Sequence, residues 1–368
     1  MKKEKLYIIA GFLIVGIFII AAIFSLLKTQ RPVIKKLTLE KELNIFNWES
    51  YLSEEVIEDF EKRYNVDINL ETFEDSTIIL QTIQSTPDKY DLIVIADDQV
   101  QEMKTLKLLA RLEHQKIPNI KNLKEEAREN YYDTNNLYCI PYVHGYTGII
   151  VNTKYIQDYD STRNILWDER YQGKITMPNN SFEILMNALF FLGADLDHPT
   201  QEQLEEAKRI ALDQQELVIG YNDPIEQREL MMNEDAWIAY IYSTEYLPLL
   251  TISENTAFKF FAPKEGVTLW ADNFCIPKDA PHKNAAQAFL NYLLEPEVSA
   301  KNSQDLKVLM VNQAMEKFLA PEFLANTKGT DFPLEKETLL KSTYGSTLGE
   351  EIQVVANQLW SELGIPEE

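Results

Sequence analysis

The segment LNIFNWESYLSEEVIEDFEKRYNVDI, residues Leu43–Ile68, decides the fold class. Its first residues, LNIFN, have the apolar and β-branched character of a short strand. The part SEEVIEDFEKRY then predicts a helix with Ser53 as its N-cap and acidic residues in its first turn. Its apolar side chains recur at helical spacing at Val56, Ile57, Phe60 and Tyr64. VDINLETF follows as a second strand, and a strand, a helix and a strand in succession predict an α/β fold.

The same alternation continues along the chain. YDLIVIA is a near-continuous apolar run, typical of a strand buried on both faces, and DDQVQEMKTLKLL follows it as a helix. Further strands are predicted for TGIIVN, GKITM, LVIG, AWIAYIY and FKFFA. SFEILMNALFFLG predicts a helix capped by Ser181 and ended by Gly193. TQEQLEEAKRIALDQQ, HKNAAQAFLNYLL and GEEIQVVANQLWSEL are also predicted helices, and the whole pattern predicts a largely parallel sheet.

A chain of 368 residues is too long for one ordinary core and suits two lobes. We expect a first lobe of residues 42–147 with about 270–325, and a second of residues 148–269 with about 326–368. The chain would cross between the two lobes, which is the organisation of an α/β protein with a ligand cleft between its halves.

The N-terminal residues differ from the rest. Residues 1–5, MKKEK, are basic, and Leu6–Leu27 contains no charged side chain. As a helix this run would span about 33 Å, which is enough to cross a bilayer. We expect a transmembrane anchor with a cytoplasmic N-terminus at residues 1–5, followed by a linker at residues 28–41. A cleaved signal peptide is the alternative, although no A-x-A site follows the run.

The composition is that of a folded acidic protein. Hydrophobic residues make up 45% and charged residues 25% of the chain, and 35 basic against 58 acidic residues give a formal charge of −23. Nucleic acid is excluded as a partner, because phosphate binding requires a basic surface. A cationic partner is favoured.

The two cysteines, Cys139 and Cys275, each lie in a strand-like apolar run, LYCIPYV and DNFCIP. We expect buried free thiols, with a disulfide as the alternative outside the cytoplasm.

The chain lacks the common catalytic and cofactor motifs. There is no Walker A run, GxGxxG, HExxH or GxSxG, and the four histidines are isolated, so neither a cofactor nor a metal is predicted. Tyr131–Tyr132 could suggest iron, but ENYYDTNN is typical of a surface turn. Glu183 and Asp272 could serve as the carboxylate pair of a glycosidase, which leaves a carbohydrate-active enzyme as a remote alternative.

Aromatic residues stand beside acids where strands end and helices begin. In TLWADNFCIP, Thr268–Pro277, the side chains of Trp270 and Asp272 point to one face, because residues i and i+2 of a strand do so. The candidate ligand-binding residues are Trp48, Tyr51, Asp98, Asn180, Glu183, Tyr242, Trp270 and Asp272. Carboxylates would pair with ammonium groups and aromatic faces would cover methylenes, so these residues predict a cleft for a flexible cation. A tryptophan can instead fill a core, and an acid can instead favour the helix dipole.

Several segments together resemble the spermidine/putrescine-binding proteins, the extracytoplasmic receptors of polyamine ABC transporters. They are LNIFNWESYLSEEVIEDFEKRYNVDI, YDLIVI, IPYVHGYTGIIVN, LWDERYQGKI, GVTLWADNFCIP and AAQAFLNYLLEPEV, in order from about Leu43 to about Val311. The resemblance implies a two-lobed periplasmic-binding-protein-like fold that closes on its ligand.

The resemblance also implies roles for individual residues. Trp48 and Tyr51 would line the pocket, and Tyr242 would stand where the family often has tryptophan. Glu183 would bind one ammonium group, while Trp270 and Asp272 would form the wall that binds another.

Five positions depart from the family pattern. Ala96 and Asp98 replace a serine and a tyrosine, and Asn180 replaces a second acid. Val308 lies near an expected tyrosine, and Glu49 replaces a threonine. A diamine, a guanidino-amine and a triamine all remain open as ligands.

The resulting prediction is a monomeric, non-catalytic binding protein on the outer face of the bacterial cytoplasmic membrane. It would be anchored through residues 6–27, or soluble in the periplasm after cleavage. It would capture a polyamine or a related organic cation and present it to an ABC permease. The alternative is a tethered sensor that reports polyamines to a signalling receptor.

Overall fold

The computed structural model describes residues 39–73, 76–128, 130–253, 257–327, 334–345 and 348–365. Within these ranges no helix is both long enough and apolar enough to cross a membrane. The predicted anchor, Leu6–Leu27, lies outside the described residues, as does most of the predicted linker.

The strands of the described chain alternate with helices over its first part. They are β1 Glu42–Trp48, β2 Asp67–Phe73, β3 Leu92–Ala96, β4 Cys139–Asn152, β5 Ile175–Pro178, β6 Val218–Asn222, β7 Ile238–Tyr242, β8 Phe258–Phe261, β9 Thr268–Cys275 and β10 Thr343–Tyr344.

The α-helices pack around these strands, and helices predominate after β9. They are α1 Glu54–Tyr64, α2 Thr77–Ser85, α3 Asp97–Thr105, α4 Glu125–Arg128, α5 Ser181–Leu192, α6 Gln201–Gln214, α7 Pro224–Met232, α8 Tyr246–Ser253, α9 Lys283–Leu293, α10 Pro296–Leu306, α11 Pro321–Thr327, α12 Lys336–Leu339 and α13 Glu350–Leu363. Short 3-10 turns at Arg163–Trp167 and Ser243–Glu245 also bear on the site.

The first sheet has the strand order β2-β1-β3-β9-β4. β1 pairs in parallel with both β2 and β3, whereas β3 and β4 pair antiparallel with β9. β3 lies inside this sheet, and its residues Leu92–Ile95 are fully buried, which confirms the expectation from its continuous apolar run. The short strand β10 adds to β9 in parallel.

The second sheet has the order β4-β7-β5-β6, with β8 also paired to β4. β4 is common to both sheets. Its residues Cys139–Tyr146 pair with β9, and Thr147–Val151 pair with β7. The sequence indicated two separate apolar runs here, but the structure joins them in one strand that passes from one sheet to the other.

The prediction of a largely parallel sheet is therefore wrong in its detail. The strands next to β4 run antiparallel to it, so each sheet is mixed. The reason is that β4 and β9 run in opposite directions and pair directly, and no crossover helix connects such neighbours.

Cys139 and Cys275 form a disulfide, so the expectation of free thiols is wrong. The two residues face each other across the β4–β9 pair, with a Cα–Cα distance of 4.3 Å. Their separation of 136 residues hid this pairing from sequence reasoning. A crosslink over so long a loop restricts the unfolded chain strongly.

Helix α1 begins after Ser53, as predicted, but the Ser53 side chain makes no capping bond and its Oγ instead donates to Asp305, 2.5 Å away. Val56 and Phe60 of the predicted stripe are buried, and Ile57 and Tyr64 pack against the same core. The apolar face of α1 thus fixes the loop between β1 and α1, which carries Tyr51.

Candidate functional site

The predicted wall on β9 has the expected alternation. Trp270 and Asp272 are partly exposed, whereas Ala271 between them is buried. Asp272 lies opposite Ala96 at the end of β3, so the carboxylate stands beside the start of α3. The period of the strand therefore puts the indole and the carboxylate on one open face, as predicted.

Asp272 is bound by a tyrosine from the loop after β1. The hydroxyl of Tyr51 donates to Oδ2 of Asp272 over 2.8 Å. Tyr51 is itself held by Tyr142, whose hydroxyl donates to the backbone oxygen of Tyr51 over 3.0 Å and whose ring meets the Tyr51 ring edge-on. Burial raises the pKa of Asp272 to about 7, and the charges of Asp97 and Asp98 add to this effect while the Tyr51 bond opposes it.

Two further acids lie at the start of α3, close to Asp272. Asp97 is buried, and its Oδ1 accepts the backbone N–H of Ala271 over 3.1 Å. The hydroxyl of Tyr131 donates to Oδ2 of Asp97. Asp98 is exposed, and its Oδ1 accepts the N–H of Gln99. Three carboxyl groups are consequently close together here, and Asp98 is the exposed one.

The predicted aromatic residues are partly buried rather than sealed in the core. The ring of Trp48 packs against Phe73 with centroids 4.6 Å apart. Tyr242 and Trp270 meet edge to face, with centroids 6.1 Å apart. A Cβ at Gly145 would lie 2.0 Å from Cζ2 of Trp270, so a glycine on β4 is required to let this indole lie across the strand.

Glu183 lies in the first turn of α5, the helix that follows the carboxyl end of β5 in the second sheet. The N-cap of this helix is Asn180, whose Oδ1 accepts the N–H of Glu183 over 3.1 Å. The predicted N-cap Ser181 is therefore wrong by one residue, because the asparagine side chain reaches the first-turn N–H. Gly193 ends the helix in the left-handed conformation, as predicted. Asn180 is exposed, which makes it a capping residue at the rim.

The Glu183 side chain is only 5% exposed. The hydroxyl of Tyr240 donates to its Oε2 over 3.4 Å. Burial raises the pKa of Glu183 to about 7, while Thr147, the Arg163 charge, Tyr240 and Thr268 oppose that rise. An acid that is so little exposed and has so high a pKa is one that a cation would bind strongly.

Tyr242 joins the two carboxylates into one site. Burial raises its pKa, and the negative charges of Glu183 and Asp272 both contribute to the rise. The ring of Tyr242 also contacts Trp270, which stands on the same face as Asp272. The structure thus brings together Tyr51, Glu183, Tyr242, Trp270 and Asp272 from four separate parts of the chain.

Sequence reasoning missed the residues that act on Glu183, above all Arg163 in a 3-10 turn and Tyr240 on β7. Tyr240 stands two residues before Tyr242 in the same strand, so strand period could have indicated it. Tyr131 and Tyr344 were not predicted as site residues either, and their rings meet near Asp97 with centroids 4.8 Å apart. No local pattern indicated those contacts.

The remaining departures from the family pattern lie as follows. Val308, near the expected tyrosine, is buried in the core of the first sheet. Glu49 is exposed on the loop after β1, and Ala96 is half-buried at the end of β3.

Comparison with known proteins gives a consistent result. The family model described as bacterial extracellular solute-binding protein matches residues 55–328. The chain is 26% identical over 309 residues to the spermidine/putrescine-binding periplasmic protein of Escherichia coli strain K12, covering 83% of this chain and 87% of that protein. It is 23% identical over 343 residues to the putrescine/agmatine-binding protein of Pseudomonas aeruginosa PAO1, covering 87% and 91% of the two chains.

The fold is also that of a solved structure, a candidate spermidine/putrescine ABC transporter protein from Listeria monocytogenes. That structure aligns with a TM-score of 0.79 and 27% identity, covering 89% of this chain and 99% of the other. It supports the mixed α/β, two-lobed binding-protein fold expected from the sequence. Because the family model matches more than half of the chain, this protein belongs to the bacterial extracellular solute-binding proteins.

Proposed function

We propose that this protein binds a polyamine or a related organic cation in the cleft lined by Tyr51, Glu183, Tyr242, Trp270 and Asp272, and presents it to an ABC permease outside the cytoplasm. The observation that carries the proposal is the pair of carboxylates, the buried Glu183 and the half-buried Asp272, whose charges both act on Tyr242. No reaction is part of this function.

The proton affinity of the two acids supports a cationic ligand. Burial raises the pKa of each to about 7, so in the unliganded protein each ionised carboxylate is poorly solvated. An ammonium group placed beside each would replace the lost water and pair with the charge. The rings of Trp270 and Tyr242 would cover the methylenes between the ammonium groups and attract their charge by about 0.5–2 kcal/mol each.

The names of the relatives support amines as the ligand class. The Escherichia coli relative is named for spermidine and putrescine, and the Pseudomonas aeruginosa relative for putrescine and agmatine. We propose Trp48, Asp98 and Asn180 as outer residues of the same site, since each lies at a strand end or helix start beside it. Asp98 in place of the family tyrosine adds charge to the Asp272 end.

We further propose that the lobes are residues 42–147 with about 270–325 and residues 148–269 with about 326–368. The change of partner along β4 supports this division, since β4 passes from β9 to β7 between Tyr146 and Thr147. Closure of the lobes would exclude water and strengthen both ion pairs. A permease would then bind the closed form by population shift.

We also propose that Leu6–Leu27 anchors the protein to the outer face of the cytoplasmic membrane, with residues 28–41 as the tether. The support is the uncharged length of this run and the basic residues before it.

A thermal-shift and calorimetry screen tests the ligand. A soluble form beginning at Leu39, where the compact unit Leu39–Glu368 starts, would be titrated with spermidine, putrescine, cadaverine and agmatine. We expect at least one amine to raise the melting temperature in a concentration-dependent manner. Lysine and a neutral sugar alcohol serve as controls. The absence of a shift with every amine, at pH 8 and low salt, would refute the proposal.

A further inference from the structure

Arg163 is the largest of the fully buried side chains of the described chain. Its Nη1 donates to Oδ1 of Asn187 over 2.7 Å, and its Nη2 donates to the backbone oxygen of Gly266 over 2.6 Å. The guanidinium carbon also lies over the rings of Phe190 and Tyr240, at 4.7 and 5.5 Å from their centroids. Both hydrogen-bond acceptors are neutral, so these bonds orient the guanidinium without balancing its charge. Arginine is almost never so deeply buried without an acidic partner.

Glu183 is an acid on which the charge of this guanidinium acts. It stands one helical turn before Asn187 on α5, so the two side chains share a face of that helix. Tyr240 contacts both groups: its ring lies beneath the guanidinium and its hydroxyl donates to Glu183. The charge of Arg163 acts on Glu183 directly, since it lowers the pKa that burial raises.

The other charged and titratable groups around this pair are few among the described residues. Tyr240 and Tyr242 face Glu183 from β7, and the hydroxyls of Thr147 and Thr268 approach it from β4 and β9. Glu265 also lies near Arg163: its Oε1 accepts the backbone N–H of that residue over 3.1 Å, and its Oε2 is buried without a hydrogen-bond partner. Glu183 differs from Glu265 in sharing Tyr240 with the guanidinium.

We propose that Arg163 is a positioning residue for ligand binding: a buried counter-charge that keeps Glu183 ionised and directs its carboxylate toward the cleft. Its effect on amine affinity rests on the function proposed above, whereas its effect on Glu183 does not. Arg163 would never touch the ligand, because the rings of Tyr240 and Phe190 cover it.

The first test uses the unliganded full chain in detergent and needs no ligand. Melting temperatures would be measured at pH 6 and pH 8.5 for the parent, Arg163→Met, Glu183→Gln and the double variant. Without the guanidinium, an ionised Glu183 is a buried charge with no counter-charge. We therefore expect Glu183→Gln to raise the melting temperature of Arg163→Met at pH 8.5 by about 3 °C or more beyond the rise that it causes in the parent.

An equal change of melting temperature on Glu183→Gln in the parent and in Arg163→Met would overturn the proposal. It would mean that Arg163 contributes packing and that its charge does not act on Glu183. Arg163→Lys keeps the charge while losing the forked hydrogen bonds. We expect it to behave like the parent in this cycle, and behaviour like Arg163→Met would also overturn the proposal. If Arg163→Met does not fold alone, folding of the double variant supports the proposal. Failure of both variants, with Arg163→Lys folded, would mean that the Arg163 charge is needed for a partner other than Glu183 and would overturn the proposal.

The second test measures amine affinity against pH by calorimetry, with putrescine and spermidine as probes. Removal of an opposite charge at this range raises a carboxyl pKa by about 1–3 units. We expect Arg163→Met to weaken putrescine binding about five- to tenfold at pH 7.5 and to regain most of this loss near pH 9, because the carboxyl is ionised again there while the primary ammonium groups stay largely protonated. A loss that does not change with pH would overturn the positioning role. If the parent binds no amine while the melting temperatures change as expected, the proposed function fails. The role of Arg163 as counter-charge of Glu183 is then still supported.

Discussion

The two acids of the cleft have similar burial effects and opposite surroundings. Asp272 stands beside Asp97 and Asp98, and the group that binds it is the uncharged hydroxyl of Tyr51. The buried guanidinium of Arg163 instead lowers the pKa of Glu183. The first end of the cleft therefore holds acids alone, whereas the second end also holds a buried cation.

This difference assigns distinct tasks to the two ends. At the Asp272 end, a bound ammonium would relieve repulsion between acids as well as pair with one of them, so most of the electrostatic gain should arise there. At the Glu183 end, Arg163 offsets part of the charge, and the carboxylate would act more as an oriented hydrogen-bond acceptor. Both acids lie deep enough for closure to strengthen their bonds to a ligand.

The largest effect is expected from Asp272→Asn. Loss of the charge removes an ion-paired hydrogen bond worth about 1.5–3 kcal/mol, so amine affinity should fall by more than tenfold. Calorimetry with spermidine and putrescine measures this loss. Asp213→Asn is the matched control, because Asp213 is an exposed acid on α6 that pairs with Arg209. Equal affinity of Asp272→Asn and the parent would remove Asp272 from the site.

Glu183→Gln should have a smaller effect. The amide keeps the shape of the side chain, and Arg163 already offsets the charge that is lost, so we expect a reduction of about three- to tenfold. The ratio of the two losses in the same titration series tests the comparison directly. A larger loss for Glu183→Gln than for Asp272→Asn would reverse the assignment of the two ends.

In the unliganded protein, the buried carboxylate of Asp272 should make the free energy of unfolding depend on pH. Burial raises the pKa of Asp272 to about 7, above the value of about 3.9 in an unfolded chain. The folded state therefore holds a proton that the unfolded state has released, and stability falls as pH rises between these two values.

Asp272→Asn removes that dependence. We expect the variant to exceed the parent in free energy of unfolding by about 1–3 kcal/mol at pH 8, and by little at pH 4, after allowance for the partial exposure of the side chain. Urea denaturation without ligand measures the difference. An equal difference in the free energy of unfolding at pH 4 and pH 8 would mean that ionisation of Asp272 does not destabilise the folded protein.

Asp98→Asn should have the smallest effect. Asp98 is exposed, so its attraction for a cation is screened by water and salt. We expect a loss of amine affinity of no more than about threefold, which disappears as salt is raised to 0.5 M. A salt-independent loss as large as that of Asp272→Asn would instead make Asp98 a direct ligand.

Much of the fold and half of the site followed from local patterns. The stripe on α1, the buried strand β3 and the shared face of Trp270 and Asp272 all depend on a period of 3.6 or 2 residues, which neighbouring residues impose on one another. The helix cap at Asn180 was missed by one residue, since Asn180 and Ser181 are adjacent and both residue types favour the N-cap position. Tyr240 could have been found from the strand period, whereas the disulfide and Arg163 carried no such local signal.

The sequence by itself determined the succession of strands and helices, the family, and which aromatic and acidic side chains stand at strand ends. Only the tertiary structure decided that β4 belongs to both sheets, that Cys139 meets Cys275, and that Arg163 rather than a second acid accompanies Glu183. The physical reason is range. Backbone periodicity acts over a few residues, whereas charge balance and crosslinking depend on which distant segments the core brings within a few ångströms of one another.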